Sequence, residues 1–91
     1  MTTLPAKIEI YTTMFCPFCI RAKQLLEAKQ VSYDETDVTA KLRLRRAMSE
    51  RASGRTSVPQ IFIDGQHIGG CDELLALDRA GQLNQMLRVA S

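Results

Sequence analysis

The stretch that most constrains this chain is Met14-Phe15-Cys16-Pro17-Phe18-Cys19, a Cys-x-x-Cys pair at a junction between two patterns. Before it, Lys7-Ile8-Glu9-Ile10-Tyr11 alternates charged and apolar residues and predicts a strand. After it, Cys19, Ala22, Leu25 and Leu26 recur at three- and four-residue spacing, predicting a helix from Pro17 to about Lys29. Pro17 suits the first helical position, where a missing N–H costs nothing. Cys16 therefore stands where a helix begins. There the unpaired backbone N–H groups and the positive end of the helix dipole favour the thiolate, the reactive form of cysteine. Cys19 falls on the apolar face of the same helix, so the two thiols should differ in access, with Cys16 attacking and Cys19 partly shielded.

The rest of the chain continues the alternation of strands and helices. Val31–Val38 reads as a second strand. Thr39 is placed to cap a second helix, with an apolar stripe of Ala40, Leu44, Ala47, Met48 and Ala52 and a stop at Gly54. Thr56-Ser57-Val58-Pro59 is a loop and Gln60–Ile63 a third strand. Asp64-Gly65 is a strong hairpin signal, returning through Gln66-His67-Ile68-Gly69. Gly69-Gly70-Cys71-Asp72 leads to a helix from about Glu73 to Ala80, with Asp72 as its N-cap and Gly81 as its end. Leu83, Met86 and Leu87 indicate a short last helix, and Val89-Ala90-Ser91 should fray. Strands joined by a helix run parallel and a hairpin runs antiparallel. The expected fold is α/β: a four-stranded mixed sheet with helices on both faces, residues 1–91 forming a single domain. The Cys motif then sits at the C-terminal end of the first strand, where such sheets place ligands.

Composition narrows the function classes. A net charge of +2 is too small to imply nucleic acid. Six of the 12 basic residues, Lys41, Arg43, Arg45, Arg46, Arg51 and Arg55, cluster around the second helix. They read first as a solvated face, and second as a rim that draws in an anionic substrate; no aromatics are interleaved for base stacking. No apolar run approaches the ~18 residues of a membrane span, and Met1–Lys7 lacks the layout of a signal peptide. Three cysteines, an odd count, argue against a secreted disulfide framework. The expectation is a cytoplasmic chain.

Cys-x-x-Cys by itself fits a dithiol redox centre or half of a metal site. A zinc or iron–sulfur site normally takes four protein ligands, and only Cys71 and His67 could complete one. His67 stands four residues from Cys71, which is not a knuckle spacing, and a lone histidine in a hairpin is usually a surface residue. No metal is expected. Cys71 is either an apolar filler or a neighbour of a ligand loop, since backbone N–H groups after Gly69-Gly70 can hold a carboxylate. Phe15 and Phe18 are either packing residues or the wall of a substrate groove.

Three motifs, Cys16-Pro17-Phe18-Cys19, Thr56–Ile63 and Gly69-Gly70-Cys71-Asp72-Glu73-Leu74, occur in an order and spacing that resembles the glutaredoxin family, and within it the small dithiol bacterial kind. The resemblance runs from Ile8 to about Leu87. It implies a thioredoxin-like fold with Pro59 as a cis-proline and glutathione as the reductant, with no tightly bound cofactor. It implies that Cys16 attacks glutathione mixed disulfides and that Cys19 resolves protein disulfides. Glutathione would lie along Ser57, Val58 and Pro59, beside Phe18, with Gly70, Cys71 and Asp72 near its γ-glutamyl end. The implied partners are glutathione and glutathionylated or disulfide-bonded client proteins, with no nucleic acid and no membrane, the chain acting as a monomer. Three positions depart from the family pattern. Phe18 stands for the usual tyrosine and Ser57 for a common threonine. Thr13 stands for the lysine expected near the thiolate and the glycine carboxylate of glutathione, leaving Arg21 or Lys23 to supply that charge. The rivals are a reductase recharged by thioredoxin reductase and a non-enzymatic metal or iron–sulfur carrier bridged through Cys16.

Overall fold

The alternation at the start of the chain becomes strand β1 (Ile8–Thr12), which buries Ile8, Ile10 and Thr12 on one face and turns Glu9 and Tyr11 to the other. The computed structural model describes residues 5–89; residues 1–4 and the end of the tail expected to fray, Ala90 and Ser91, lie outside it. Helix α1 (Pro17–Ala28) follows, then β2 (Asp34–Asp37), α2 (Leu42–Arg51), β3 (Gln60–Ile63), β4 (Gln66–Gly69), α3 (Cys71–Arg79) and α4 (Leu83–Leu87). The sheet order is β2-β1-β3-β4, with β1 and β2 parallel and the other two pairs antiparallel. This is the expected α/β architecture.

The two central strands have both faces covered, and the side chains divide between them. Ile8, Ile10, Ile61 and Ile63 pack with Ala22 and Leu26 of α1, Leu74 of α3, and Leu83 and Leu87 of α4. Each large aliphatic side chain buried there contributes about 1.5–3 kcal/mol. Helix α2 covers the other face in a different way. The Arg51 guanidinium lies 4.0 Å from the centroid of the Phe62 ring, binds Glu9 through two nitrogens at 2.9 and 3.1 Å, and donates to the Tyr11 hydroxyl at 2.9 Å. A planar, delocalised cation can stack and pair at once. The basic run is thus not one solvated face. Arg51 is part of the packing, Arg45 binds the Thr56 carbonyl from two nitrogens, and Arg55 pairs with Glu73.

Four local expectations change. The second strand is shorter than Val31–Val38, because β1 offers partners only from Glu9, opposite Asp34, to Thr12, opposite Asp37. Thr39 does not cap α2: its hydroxyl accepts the Met14 N–H at 2.8 Å, Ala40 takes a left-handed φ of 54°, and the helix starts at Leu42. The apolar stripe of α2 is buried only at Met48 and Ala52, while Ala40, Leu44 and Ala47 are exposed. Asp72 does not cap α3 either. Gly70 is the N-cap, and its N–H is taken by the Glu73 carboxylate at 2.7 Å.

Candidate active site

The loop that carries the first thiol is pinned from below. Thr12, buried at the end of β1, donates its hydroxyl to Glu35 at 2.7 Å, and Lys23 reaches the same carboxylate oxygen at 3.0 Å. The Thr39 hydroxyl holds the Met14 N–H, so the strand end and the loop after it are tied to both β2 and the segment that leads into α2. Phe15 then adopts a φ of 55° and is 92% exposed. Cys16 follows in extended conformation as the N-cap of α1, with Pro17 in the first turn.

Cys16 acts as its own helix cap. The Cys19 N–H, one of the unpaired donors of the first turn, points at Cys16 Sγ from 3.2 Å. That hydrogen bond satisfies one of the helix's first-turn donors. Cys16 is half-buried and Cys19 is buried. Burial pushes the Cys19 thiol up to about 12, and the neighbouring Cys16 side chain adds to this, against a smaller opposing contribution from the Thr13 backbone. Burial also raises Cys71, against the charge of Arg21. The three thiols are therefore distinct, and iodoacetamide at pH 7–8 is expected to label Cys16 well ahead of Cys19 and Cys71, read by peptide mass mapping. Comparable labelling of Cys19 would contradict its burial.

Across from Cys16, the Val58–Pro59 bond is cis, and the Val58 carbonyl oxygen lies 3.9 Å from Cys16 Sγ. The two distant loops meet here. A groove of about 190 Å³ runs between Phe18 and the Ser57-Val58-Pro59 segment and reaches Gly70, Cys71 and Asp72. Seven of the eight residues expected to contact glutathione line it. The eighth, Thr13, is not among them; its backbone bears on Cys19 instead. A larger hollow of about 460 Å³ at the other end of β1, bounded by Pro5, Tyr33 and Leu87, contains no thiol.

Two lining residues were not anticipated, Arg55 and Glu73. Arg55 Nη1 meets Glu73 Oε1 at 2.8 Å, and the same oxygen accepts the Gly70 N–H. This strap joins the loop before β3 to the start of α3 and fixes the far wall of the groove. Glu73 stands three residues after its N-cap, the spacing of a capping box, and that signal was legible. Lys23, one candidate for the missing cation, pairs with Glu35 away from the groove lining; Arg55 lines the groove, paired there with Glu73.

Gly69 completes the strap. Its φ is +121°, and a Cβ there would run into the Glu73 carboxylate. Gly69→Ala is expected to displace Glu73 and disturb the groove wall, costing about 1–3 kcal/mol in stability; melting curves check the loss. Acid acts on the same contact. The Glu73 carboxyl is held below its ordinary value of 4.5, first by the Gly70 N–H and then by Arg55. Its stabilisation is full above pH 4.5 and is lost as pH falls through the lowered value. Melting temperature should accordingly hold from pH 7 to 5 and fall below about 4, less steeply in Glu73→Gln.

His67, expected at the surface, is half-buried, with its ring against Phe62 and Nε2 2.7 Å from Gln60 Oε1. Burial lowers its pKa, the charge of Arg55 adds to this, and Glu73 opposes it. Among the described residues, no three His, Cys, Asp or Glu side chains gather to hold a metal ion, and no helix is long and apolar enough to cross a membrane.

A half-buried thiol capping a helix start, a buried second thiol one turn on and a cis-proline loop facing the first define a dithiol oxidoreductase of thioredoxin-like fold. Comparison with known proteins narrows this. The glutaredoxin family model matches residues 8–68. The chain is 54% identical to glutaredoxin 3 of Escherichia coli K12 over 83 residues, 91% of this chain and 99% of that one. The solution structure of glutaredoxin from Brucella melitensis superimposes with a TM-score of 0.80 at 47% identity, over 91% of this chain and 89% of that one. A crystal structure of a buckwheat glutaredoxin–glutathione complex does so with a TM-score of 0.83 at 28% identity, over 91% and 77%. The chain belongs to the glutaredoxin family and is a glutathione-dependent thiol–disulfide oxidoreductase, similar to glutaredoxin 3.

Proposed function

We propose that the chain reduces glutathione mixed disulfides and protein disulfides, with Cys16 as nucleophile, Cys19 as resolving thiol and the Phe18–Ser57–Asp72 groove as the glutathione site. The observation that carries this reading is the approach of Cys16 Sγ to within 3.9 Å of the carbonyl of Val58, a residue that lines that groove. An extended tripeptide laid beside Ser57 and Val58 would present its sulfur to Cys16 and its γ-glutamyl carboxylate to the start of α3. There Cys71 and Asp72 open the helix and its free N–H groups favour an anion. Phe18 supplies an apolar wall without the hydroxyl of a tyrosine. Arg55, paired with Glu73, brings a guanidinium to the groove wall, where Thr13 brings no charge.

Cys16 thiolate attacks the glutathionyl sulfur of the mixed disulfide. The Cys16–glutathione bond forms, and the client sulfur leaves as thiolate and takes a proton. A second glutathione thiolate attacks the bound glutathionyl sulfur, releasing oxidised glutathione and restoring the Cys16 thiolate. With a protein disulfide, Cys16 forms a mixed disulfide with the client, and Cys19 then attacks the Cys16 sulfur. The client leaves with both of its sulfurs reduced, and Cys16–Cys19 closes. Two glutathiones reopen that bond and leave as oxidised glutathione. The asymmetry of the pair suits this order. While Cys16 is free, it and burial hold Cys19 protonated; once Cys16 is in a disulfide, its contribution is gone and Cys19 ionises more readily.

Client proteins would meet Met14, Phe15, Phe18 and Ile20, exposed apolar side chains around the motif. One chain supplies both thiols and the groove, so the working unit in this reading is a monomer in the reducing cytoplasm, with glutathione as co-substrate and no resident cofactor. The test is a glutathione-coupled assay on a glutathionylated peptide, run beside thioredoxin reductase as reductant. Turnover with glutathione alone supports the reading, and turnover only with thioredoxin reductase overturns it. Cys19→Ser is expected to keep the peptide reaction within about threefold of wild type while losing reduction of protein disulfides.

A further inference from the structure

Gln60, the first residue of β3, has a polar side chain that is fully buried and takes no part in the chemistry above. Burying an unpaired amide costs about 1–3 kcal/mol, so its partners matter. Both of its ends are satisfied. Nε2 donates to the Ser57 carbonyl at 3.0 Å and lies 3.3 Å from the Ser57 hydroxyl, while Oε1 meets His67 Nε2 at 2.7 Å. An amide oxygen only accepts, so His67 Nε2 carries the proton. His67 is itself fixed, with its ring centroid 5.1 Å from that of Phe62, which in turn carries the Arg51 guanidinium.

We propose that Gln60, anchored by His67, is a positioning residue that holds the Ser57–Val58 edge in the geometry glutathione needs. The proposal rests on the reading of that groove as the glutathione site. The relay runs from β4 through Gln60 to the loop before β3. It turns the Ser57 carbonyl inward, onto Gln60, and leaves the Val58 carbonyl facing Cys16. Rotating the amide by half a turn would set two oxygens against each other at Ser57, so the Ser57 carbonyl fixes which way Gln60 points and the His67 N–H satisfies the oxygen this leaves on the other side. The pair acts on binding of the tripeptide rather than on the thiol, because neither side chain contacts Cys16 or lines the groove.

The test compares one peptide carrying either a glutathionyl or a cysteinyl mixed disulfide. Wild type is expected to favour the glutathionyl form. His67→Phe keeps a ring against Phe62 but has no N–H. It and Gln60→Leu should raise KM for the glutathionyl peptide about fivefold, the worth of one lost hydrogen bond. Their kcat, their KM for the cysteinyl peptide and their rate of Cys16 alkylation should match wild type. His67→Gln, which can donate to Gln60, should restore most of the loss. Where Gln60→Leu fails to fold, the two His67 variants carry the comparison. Wild-type KM in His67→Phe, or an equal loss on both peptides, overturns the proposal. A wild-type protein that does not distinguish the two peptides overturns the groove reading instead.

Discussion

Cys16→Ser is expected to show no turnover above background on glutathionylated peptides or on protein disulfides, at any glutathione concentration. The reaction requires a sulfur at this position, because each intermediate is a disulfide of Cys16 and a serine oxygen cannot form one. Neither remaining thiol can substitute. Cys19 is buried, and burial raises its thiol and that of Cys71, so little thiolate is available from either at neutral pH. The same substitution should leave the fold intact. Cys16 Sγ accepts the Cys19 N–H at the start of α1, and serine is among the favoured residues at that position. The melting temperature should stay level or rise slightly, by no more than the ~1 kcal/mol of a good cap. A coupled assay and a thermal melt on one sample separate the two effects. Inactivity with a collapsed melt would reflect lost structure, and substantial turnover would move the nucleophile to another cysteine.

The parts of this site that were legible in sequence are the ones governed by local rules. A proline after the first cysteine, an apolar face through Cys19 and Ala22, and Asp-Gly between two apolar runs each have one short-range meaning, and those helix and strand positions were read to within a few residues. Apart from Asp72, displaced as the cap of α3 by Gly70 two residues before it, the misread side chains had distant partners. Thr39 looks like a helix cap, but the Met14 N–H, 25 residues away in sequence, takes its hydroxyl. Arg51 looks like part of a charged surface, but Glu9, Tyr11 and Phe62, 40 or more residues away in two cases, draw it onto the sheet. His67 looks exposed until Gln60 and Phe62 are placed beside it. Arg55 and Glu73 form the groove wall only when the β3–β4 hairpin brings their elements together. Periodicity identifies which faces are apolar; it carries no information about which polar groups meet across the sheet.

Phe62→Ala is expected to cost about 3–5 kcal/mol, the range for removing a buried aromatic side chain. Phe62 is 1% exposed and carries the Arg51 guanidinium of α2 on its ring. Tyr11 meets its ring edge-on with centroids 5.8 Å apart, His67 lies against it at 5.1 Å, and Arg51 stacks on it at 4.0 Å. Alanine would remove the common surface for all three. The Arg51 pairing with Glu9 would lose its backing and become an ordinary, largely solvated ion pair worth about 1 kcal/mol or less. Domains of this size have only about 5–15 kcal/mol of net stability, so the loss is a large share, and the melting temperature should fall by roughly 20 °C. Phe62→Leu refills much of the volume and should recover more than half of the stability, yet it gives Arg51 and His67 no aromatic face. That variant separates the two roles of the ring. Its remaining deficit measures the stacking, and if His67 is held mainly by Phe62, KM for the glutathionyl peptide should stay raised in Phe62→Leu even where the melt has largely recovered. A Phe62→Ala protein melting within a few degrees of wild type would mean that α2 is held by other contacts and that the Arg51–Phe62 stack contributes little.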